Sequence, residues 1–194
     1  AHNKASSADY DYACESHVIL ATQAGGPAEG SQMDTVTVYA MVLYQEYNLS
    51  DAGIVELRGS HIPAAITFDV SADKDYSLRE YWVPRDGSYY APDIREKFPG
   101  SAAEDALDTQ KYILSQKQNC YRKALVNGIV NTDTVIESLL DTIMSSPATS
   151  SNPGDYIKAH PIEYRELTYY GDYTLRYVFR ELLKGGQTGL KGHI

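Results

Sequence analysis

The sequence predicts an α+β fold in which an antiparallel β-meander of about four to five strands is followed by helices packed on one face. Two observations support this class. Residues 16–83 are rich in β-branched and aromatic side chains and are divided by short turns containing Gly, Pro or Asp. Residues 101–182 repeat their apolar side chains at helical spacing. Strands followed by helices are typical of a sheet covered by helices on one side.

The first half of the chain contains five apolar runs that predict strands. The run 35–47, TVTVYAMVLYQEY, has apolar side chains at both alternating positions, so we expect a central strand covered on both faces. The segments GSHIP (59–63) and SADKD (71–75) are short enough to form hairpin turns. The five predicted strands are 16–23, 35–47, 54–58, 64–70 and 76–83.

A long helix is predicted to follow the strands. Ser101 and Glu104 have the spacing of a capping box, and Gly128 offers a stop. The apolar positions of this helix are expected to face the core, and they include Leu114 and Cys120.

Three further helices are predicted in the last third of the chain. They cover residues 134–144, 161–170 and a final stretch that begins at Asp172. Apolar residues of the final helix recur at helical spacing, so we expect them to face the core. These residues are Leu175, Val178, Phe179 and Leu182.

Length and charge limit the possible architectures and partners. A chain of 194 residues predicts one domain, with residues 1–12 as a loose N-terminal arm and residues 13–194 as the globular part. The formal net charge of −9 argues against nucleic acid and anionic membranes as partners. No apolar run approaches the roughly 20 residues needed to span a bilayer, so we expect no membrane-spanning segment.

The two cysteines, Cys14 and Cys120, are too few for a zinc site or a disulfide scaffold. Cys120 falls on the apolar stripe of the predicted long helix, which is typical of a small buried thiol. If the chain folds outside the cytoplasm, a disulfide between Cys14 and Cys120 is the alternative.

No catalytic motif meets its structural requirements. Three short strings occur in the same order as the active-site motifs of the penicillin-recognising serine enzymes: SADK (71–74), SSN (150–152) and KGG (184–186). However, the first is predicted to be a turn and the last to be the end of a helix. The five histidines have no metal-binding spacing. We therefore expect no catalytic residue, no metal and no cofactor. Carboxylate pairs brought together by folding are the one enzymatic alternative left open.

The stretch EYWVPRDGSYYAPDIREKF, which we call the 80–98 segment, combines aromatic rings with alternating charges. It is either a self-contained loop in which Arg and Asp pair, or a recognition surface in which the rings supply contact area. We expect one ring to be a buried anchor and the two adjacent tyrosines to be partly exposed. The candidate ligand- or partner-binding residues are Trp82, Arg85, Asp86, Tyr89, Tyr90, Asp93 and Arg95.

Several long strings together resemble an uncharacterised extracytoplasmic domain of clostridial-type bacteria. The strings are TVYAMVLYQEYN, GSHIPAAITF, REYWVPRDGSYYAPDIREKFP, ALDTQKYI and YRELTYYGDYTLRYVF. This domain often follows the membrane metallopeptidase of antirepressor proteins related to the β-lactam sensor-transducers, and it also occurs in predicted lipoproteins. The resemblance covers the chain from about residue 12 onward and carries over no catalytic residue. The peptidase's zinc signature is absent from this sequence.

The resemblance implies a cell-envelope location and a sensing or binding role by association. We therefore expect a non-catalytic extracytoplasmic sensor or interaction domain, whose partner would be an unknown protein or envelope ligand. The alternative is a hydrolase that acts on cell-wall material through carboxylates unpaired in the sequence.

Overall fold

The computed structural model describes residues 9–27, 33–128, 130–147 and 149–185. Its four strands form an antiparallel sheet in the order β1-β2-β3-β4, and helices follow them along the chain. The predicted α+β meander is thereby confirmed. The strands are β1 (Tyr12–Gly25), β2 (Asp34–Ser50), β3 (Gly53–Val70) and β4 (Tyr76–Trp82).

The described residues after β4 are mostly helical. A short 3-10 turn, Gly87–Tyr89, leads into the first helix. The predicted helices at 134–144, 161–170 and from Asp172 are confirmed to within two residues. The helices are α1 (Tyr90–Lys97), α2 (Ser101–Leu107), α3 (Gln110–Asn127), α4 (Thr132–Met144), α5 (Pro153–Ala159), α6 (Pro161–Tyr170) and α7 (Asp172–Lys184).

The predicted strands 54–58 and 64–70 are one strand, β3, and the turn predicted at GSHIP was wrong. Gly59 lies where β3 passes very close to β2. A Cβ atom at this position would lie 2.3 Å from the backbone oxygen of Tyr44. The glycine therefore permits close approach of two backbones and does not mark a turn.

Pro63 also fits inside β3 for a local reason. Strand β4 pairs with β3 only from Ala65 to Val70, so the proline lies beyond the end of that ladder. Its missing N–H therefore costs no bond to β4. The second predicted turn is confirmed, because the backbone N–H of Lys74 donates to the Ser71 oxygen at 3.0 Å between β3 and β4.

The long helix predicted from Ser101 is broken into α2 and α3. Asp108 leaves helical geometry, and its carboxylate accepts a hydrogen bond from the Gln110 backbone N–H at 3.2 Å. Aspartate favours such local bonds over a continuing helix. The predicted capping box is also wrong, because Ser101 is already helical and makes no cap hydrogen bond.

The covered side of α3 is narrower than its apolar pattern. The buried row consists of Gln116, Cys120 and Ala124, spaced four residues apart. Leu114 was predicted to be buried but is 46% exposed. Leu114 lies six residues before Cys120, a rotation of roughly 120° around the helix, so it falls outside the buried row although it belongs to the apolar pattern.

The residues divide into two compact units. Among the described residues, unit 1 comprises 15–45 and 59–116, and unit 2 comprises 9–14, 46–58 and 117–185, each taken without the undescribed positions. The single domain predicted for residues 13–194 stays a prediction. Residues 1–8 of the predicted loose arm lie outside the described part, and the backbone N–H of Asp11 donates to the Tyr47 oxygen at 3.0 Å.

The core of unit 1 joins the sheet to α1 and α2. The rings of Tyr39 and Phe98 meet edge to face at 5.1 Å, and Trp82, Tyr90 and Leu20 pack around them. Three alanines of α2 allow this helix to lie close to the sheet. The buried members are Tyr39, Ala65, Ile94, Phe98, Ala102, Ala103 and Ala106.

A buried amide ties α3 to three strands within unit 1. The Nε2 atom of Gln116 donates to the backbone oxygens of Ser16 and Met41, each at 3.0 Å. Its Oε1 atom lies 2.8 Å from Nε2 of His61. Because an amide oxygen can only accept, the His61 ring must carry its proton on Nε2.

The core of unit 2 joins α4, α5, α6 and α7. The buried members are Ile136, Leu140, Ile143, Tyr156, Leu167 and Tyr177. Helix α7 contributes Tyr177 together with the partly buried Tyr173 and Val178. The prediction that Leu175, Phe179 and Leu182 face inward was therefore wrong, because α7 turns its tyrosine side to the core.

Candidate functional site

The charges of the 80–98 segment are largely paired with one another. Arg85 binds Asp93 through two side-chain bonds, Nε to Oδ2 at 2.9 Å and Nη2 to Oδ1 at 2.7 Å. The Arg85 backbone N–H also donates to Oδ2 at 3.0 Å. These hydrogen bonds hold the pKa of Asp93 at about 2, below its ordinary 3.8. The pair therefore fixes the turn between β4 and α1.

The aromatic rings of the segment divide between core and surface. Trp82 is half-buried and lies 6.1 Å from the ring of Phe98. Tyr90 packs against the core of unit 1, but Tyr89 is 55% exposed and lies beneath the Arg85 guanidinium at 4.2 Å. Trp82 was predicted to be a buried anchor; it packs against the core of unit 1 but is only partly buried. Of the two tyrosines, only Tyr89 belongs to the surface.

The remaining candidates of the segment do not converge with Tyr89. Arg95 points to Glu104 of α2, with Nε and Oε1 3.2 Å apart. Asp86 is exposed ahead of the 3-10 turn. The structure brings together Arg85, Tyr89 and Asp93, whose polar atoms are mostly engaged with one another. A recognition role for the segment stays a prediction.

A more exposed apolar surface lies on α7 in unit 2. We call it the α7 stripe, and it consists of Leu175, Phe179, Leu182 and Leu183, which are 58%, 64%, 47% and 86% exposed. Their spacing of four, seven and eight residues from Leu175 places them on one side of the helix. Sequence reasoning found these residues but assigned them to the wrong side.

Two arginines border the α7 stripe. Arg176 and Arg180 are four residues apart, so they lie on the same edge of the stripe, and Asp172 lies at its N-terminal end. Arg180 donates to Asp133 of α4 at 2.8 Å. Arg176 makes no ion pair with any residue in the described part of the chain. The stripe is thus flanked by positive charge in a chain whose net charge is −9.

Unit 1 has a second exposed apolar strip on β4. This strand lies at the end of the sheet order, and it pairs with β3 on one side only among the described strands. Its exposed apolar side chains are Tyr76, Leu78 and Tyr81. They alternate with charges that are already paired, because Arg79 binds Asp69 at 2.9 Å and Glu80 binds Lys97 at 3.0 Å. Charges on an edge strand discourage pairing with other chains.

Sequence reasoning missed a cluster of acids and tyrosines in unit 2. We call it the acid–tyrosine cluster, and its members are Glu56, Lys117, Tyr121, Glu166, Tyr169 and Tyr170. Lys117 Nζ binds Glu56 Oε2 at 2.5 Å and lies 4.7 Å from the centre of the Tyr169 ring. The two glutamates are 110 positions apart, so only folding brings them together.

The surroundings of Glu166 raise the pKa of its carboxyl group. Burial raises the pKa of Glu166, and the carboxylates of Glu56 and Glu163 raise it further. Burial and then Glu56 likewise raise the pKa of Tyr121. A raised carboxyl pKa beside a second carboxyl group is typical of the general acid in carboxylate-pair hydrolysis. Lys117 compensates only the charge of Glu56.

The two cysteines lie together in unit 2. Cys14 of β1 and Cys120 of α3 are both buried and free. Their elements are in contact nearby, because Asn127 Nδ2 of α3 donates to the hydroxyl of Tyr12 of β1 at 3.3 Å. The neighbouring Cys14 thiol, together with burial, raises the pKa of the Cys120 thiol. Both thiols are free in the structure, and the disulfide stays a prediction.

The other sequence candidates have structural roles. Ser71 lies in the turn after β3, where its hydroxyl accepts a hydrogen bond from the Asp75 backbone N–H at 3.1 Å. Among the described residues, no three His, Cys, Asp or Glu side chains come together as metal ligands. None of the described helices has both the length and the apolar character needed to cross a bilayer.

Comparisons with known proteins identify no relative. No protein-family model matches the chain, and searches of curated proteins and of solved structures gave no match either. The resemblance to the extracytoplasmic clostridial domain therefore stays a prediction.

Proposed function

We propose that the chain is a non-catalytic interaction or sensor domain of an extracytoplasmic, cell-envelope protein, and that it binds a helical partner on the α7 stripe. The observation that carries the proposal is the exposure of four large apolar side chains on one side of α7. Contiguous exposed apolar surface is typical of sites that bind other proteins. Spacings of four, seven and eight residues are those by which one amphipathic helix packs against another.

The arginines beside the α7 stripe define the chemistry of the partner. Arg176 and Arg180 make one edge of the stripe basic, so a helix with an apolar stripe and an acidic edge complements it. A second copy of α7 fits less well. In an antiparallel pair of identical helices, like edges face each other, and the arginines of both copies would meet.

The α7 stripe is a better site than the strip on β4. The charges of β4 are interspersed among its apolar side chains and are already paired within unit 1. Arg176, by contrast, has no ionic partner among the described residues, so its charge is available to a ligand. The envelope location rests on the sequence resemblance alone.

Binding to two synthetic amphipathic peptides tests this function. Both peptides carry the same leucine stripe, but one has glutamates and the other lysines along one edge. We expect the acidic peptide to bind with a Kd at least about tenfold lower, a difference of ~1.4 kcal/mol, in fluorescence anisotropy at low salt. Phe179→Asp should abolish binding, and Arg176→Glu should reverse the preference between the peptides.

The matched control is Leu114→Asp, which places a charge on an exposed apolar position of α3 in unit 1. This variant should bind the acidic peptide as the wild type does. Equal affinity for the two peptides, or unchanged binding by Phe179→Asp, would contradict the assignment of the α7 stripe as the site.

The acid–tyrosine cluster supports a second candidate, a hydrolase acting on cell-wall glycans. The observation in its favour is the raised pKa of Glu166 beside Glu56. In carboxylate-pair hydrolysis, the carboxyl group with the raised pKa is the general acid and the other carboxyl group is the base or nucleophile. Purified peptidoglycan incubated with the wild-type protein should then release reducing ends. The variant Glu166→Gln should stop this release, whereas the control Glu137→Gln, at an exposed position of α4, should not. If the wild type releases none, the cluster is structural.

A further inference from the structure

The placement of Cys14 and Cys120 has a consequence that is independent of the α7 stripe. These are the two cysteines of the chain, and they are 106 positions apart in sequence. Folding nevertheless brings the start of β1 and α3 together. Asn127, two helical turns after Cys120, donates through its Nδ2 atom to the hydroxyl of Tyr12, two residues before Cys14, at 3.3 Å. Both cysteines are buried and free. Both residues belong to unit 2. With no third cysteine, one intramolecular pairing is possible.

We propose that Cys14 and Cys120 form a disulfide that joins β1 to α3, made by exchange with the disulfide of a thiol oxidoreductase or of oxidised glutathione. One thiolate attacks the disulfide of the oxidant, forms a mixed disulfide and releases one thiol of the oxidant. The second cysteine thiolate then attacks the mixed disulfide, forms the bond between the two Sγ atoms and releases the other thiol. Two electrons and two protons pass to the oxidant.

Burial determines when this bond can form. Thiol–disulfide exchange needs an accessible thiolate, whereas both side chains are covered in the folded chain. The surroundings of Cys120 also disfavour its ionisation, since the neighbouring Cys14 thiol and burial raise its pKa. The bond must therefore form during folding, before α3 covers Cys14, or during a local opening. Once formed, it is protected from reductants by the same burial.

The bond should stabilise the folded chain because it closes a very long loop. Cross-linking distant residues restricts the unfolded ensemble, and the effect grows with the length of the loop. For a chain of this size we expect the disulfide to raise Tm by about 5–15 °C relative to the same chain in its reduced form.

Refolding in a glutathione redox buffer tests the proposal. The reduced, unfolded chain is refolded with oxidised and reduced glutathione, alkylated and analysed by intact-mass and peptide mass spectrometry. We expect a monomer that is lighter by two hydrogen atoms, takes up no alkylating reagent and contains a linked peptide pair holding Cys14 and Cys120. Its Tm should fall when the bond is reduced, a comparison that needs no substitution.

Two controls make the result specific. Cys14→Ser leaves one thiol, so it should take up one alkylating group and show no Tm difference between oxidising and reducing buffers. The reduced, folded wild type should react with a small aromatic disulfide at least about tenfold more slowly than the unfolded chain, because burial protects the thiols. Alkylatable thiols, glutathione adducts or linked dimers as the main product of refolding, or a bond whose reduction leaves Tm unchanged, would overturn the proposal.

Discussion

The 80–98 segment and helix α7 differ in how their sequence patterns relate to exposure. The segment is rich in charges and tyrosines, which is typical of a surface loop, yet its polar groups bind one another and two of its rings enter the core of unit 1. Helix α7 has a regular apolar pattern, which is typical of a buried face, yet that pattern points to solvent. For the segment, the self-contained loop was one of two alternatives that the sequence left open, whereas the inward side of α7 was predicted wrongly.

Tyrosine explains the exposure of side chains in both regions. A tyrosine ring buries nearly as much apolar area as phenylalanine, and its hydroxyl still finds a partner at the core edge. Because the chain has 17 tyrosines, aromatic rings can fill the core of unit 2 without the leucines of the α7 stripe. In α7, Tyr173, Tyr177 and Val178 form the inward side, which leaves the α7 stripe unused by the fold.

The largest test of this comparison uses two phenylalanines. Phe98 ends the 80–98 segment and is 4% exposed, whereas Phe179 lies in the α7 stripe and is 64% exposed. We expect Phe98→Ala to cost about 3–5 kcal/mol in the free energy of unfolding, because it leaves a cavity beside Tyr39 and Trp82.

Phe179→Ala serves as the matched control in the same denaturant titration. It should change the free energy of unfolding by no more than about 0.5 kcal/mol, as expected for an exposed side chain. Comparable losses for the two variants would mean that α7 buries its leucines after all and that the α7 stripe is not a surface.

The order of the elements was predictable because periodicity depends on neighbouring residues. The apolar, β-branched run of β2 and the helical spacing in α4 were recognised, and the structure bears them out. Features set by distant contacts were not predictable. Gly59 looked like a turn because its close approach to Tyr44 is invisible in the sequence. Leu114 looked like a core residue because it belongs to the apolar pattern of α3, but the pattern is wider than the side that is covered.

The candidate sites were harder to predict than the fold. Glu56 and Glu166 meet only in space, and no spacing rule could have joined them. The α7 stripe was visible as a pattern, but a helical period gives two possible sides and does not say which one is covered. For the two cysteines, the sequence left open either a buried free thiol at Cys120 or a disulfide between Cys14 and Cys120. The structure shows that both are buried and free.

An intermediate effect distinguishes the adjacent tyrosines of the 80–98 segment. Tyr90 packs against the core of unit 1, so Tyr90→Ala should cost about 1–3 kcal/mol in the free energy of unfolding. Tyr89 touches mainly the Arg85 guanidinium, and Tyr89→Ala should cost at most about 1 kcal/mol, the value of an exposed cation–π contact. Thermal unfolding of the two single variants under one buffer condition measures the difference. The opposite ranking would contradict the division of this segment into core and surface rings.

The smallest expected effect concerns the charges that hold the segment together. The side chain and then the backbone N–H of Arg85 hydrogen-bond to Asp93 and hold its pKa at about 2. Because the folded state lowers this pKa below the ordinary 3.8, the pair contributes stability above about pH 4 and loses it as the pH falls toward 2. Arg85→Leu should therefore return the pKa of Asp93 toward 3.8, as followed by a carboxyl NMR titration.

Arg95→Leu is the control, because Arg95 binds Glu104 instead, and it should leave the pKa of Asp93 unchanged. A wild-type Asp93 that titrates near 3.8 would mean that Arg85 is available to a ligand, and the 80–98 segment would regain its place as a recognition surface.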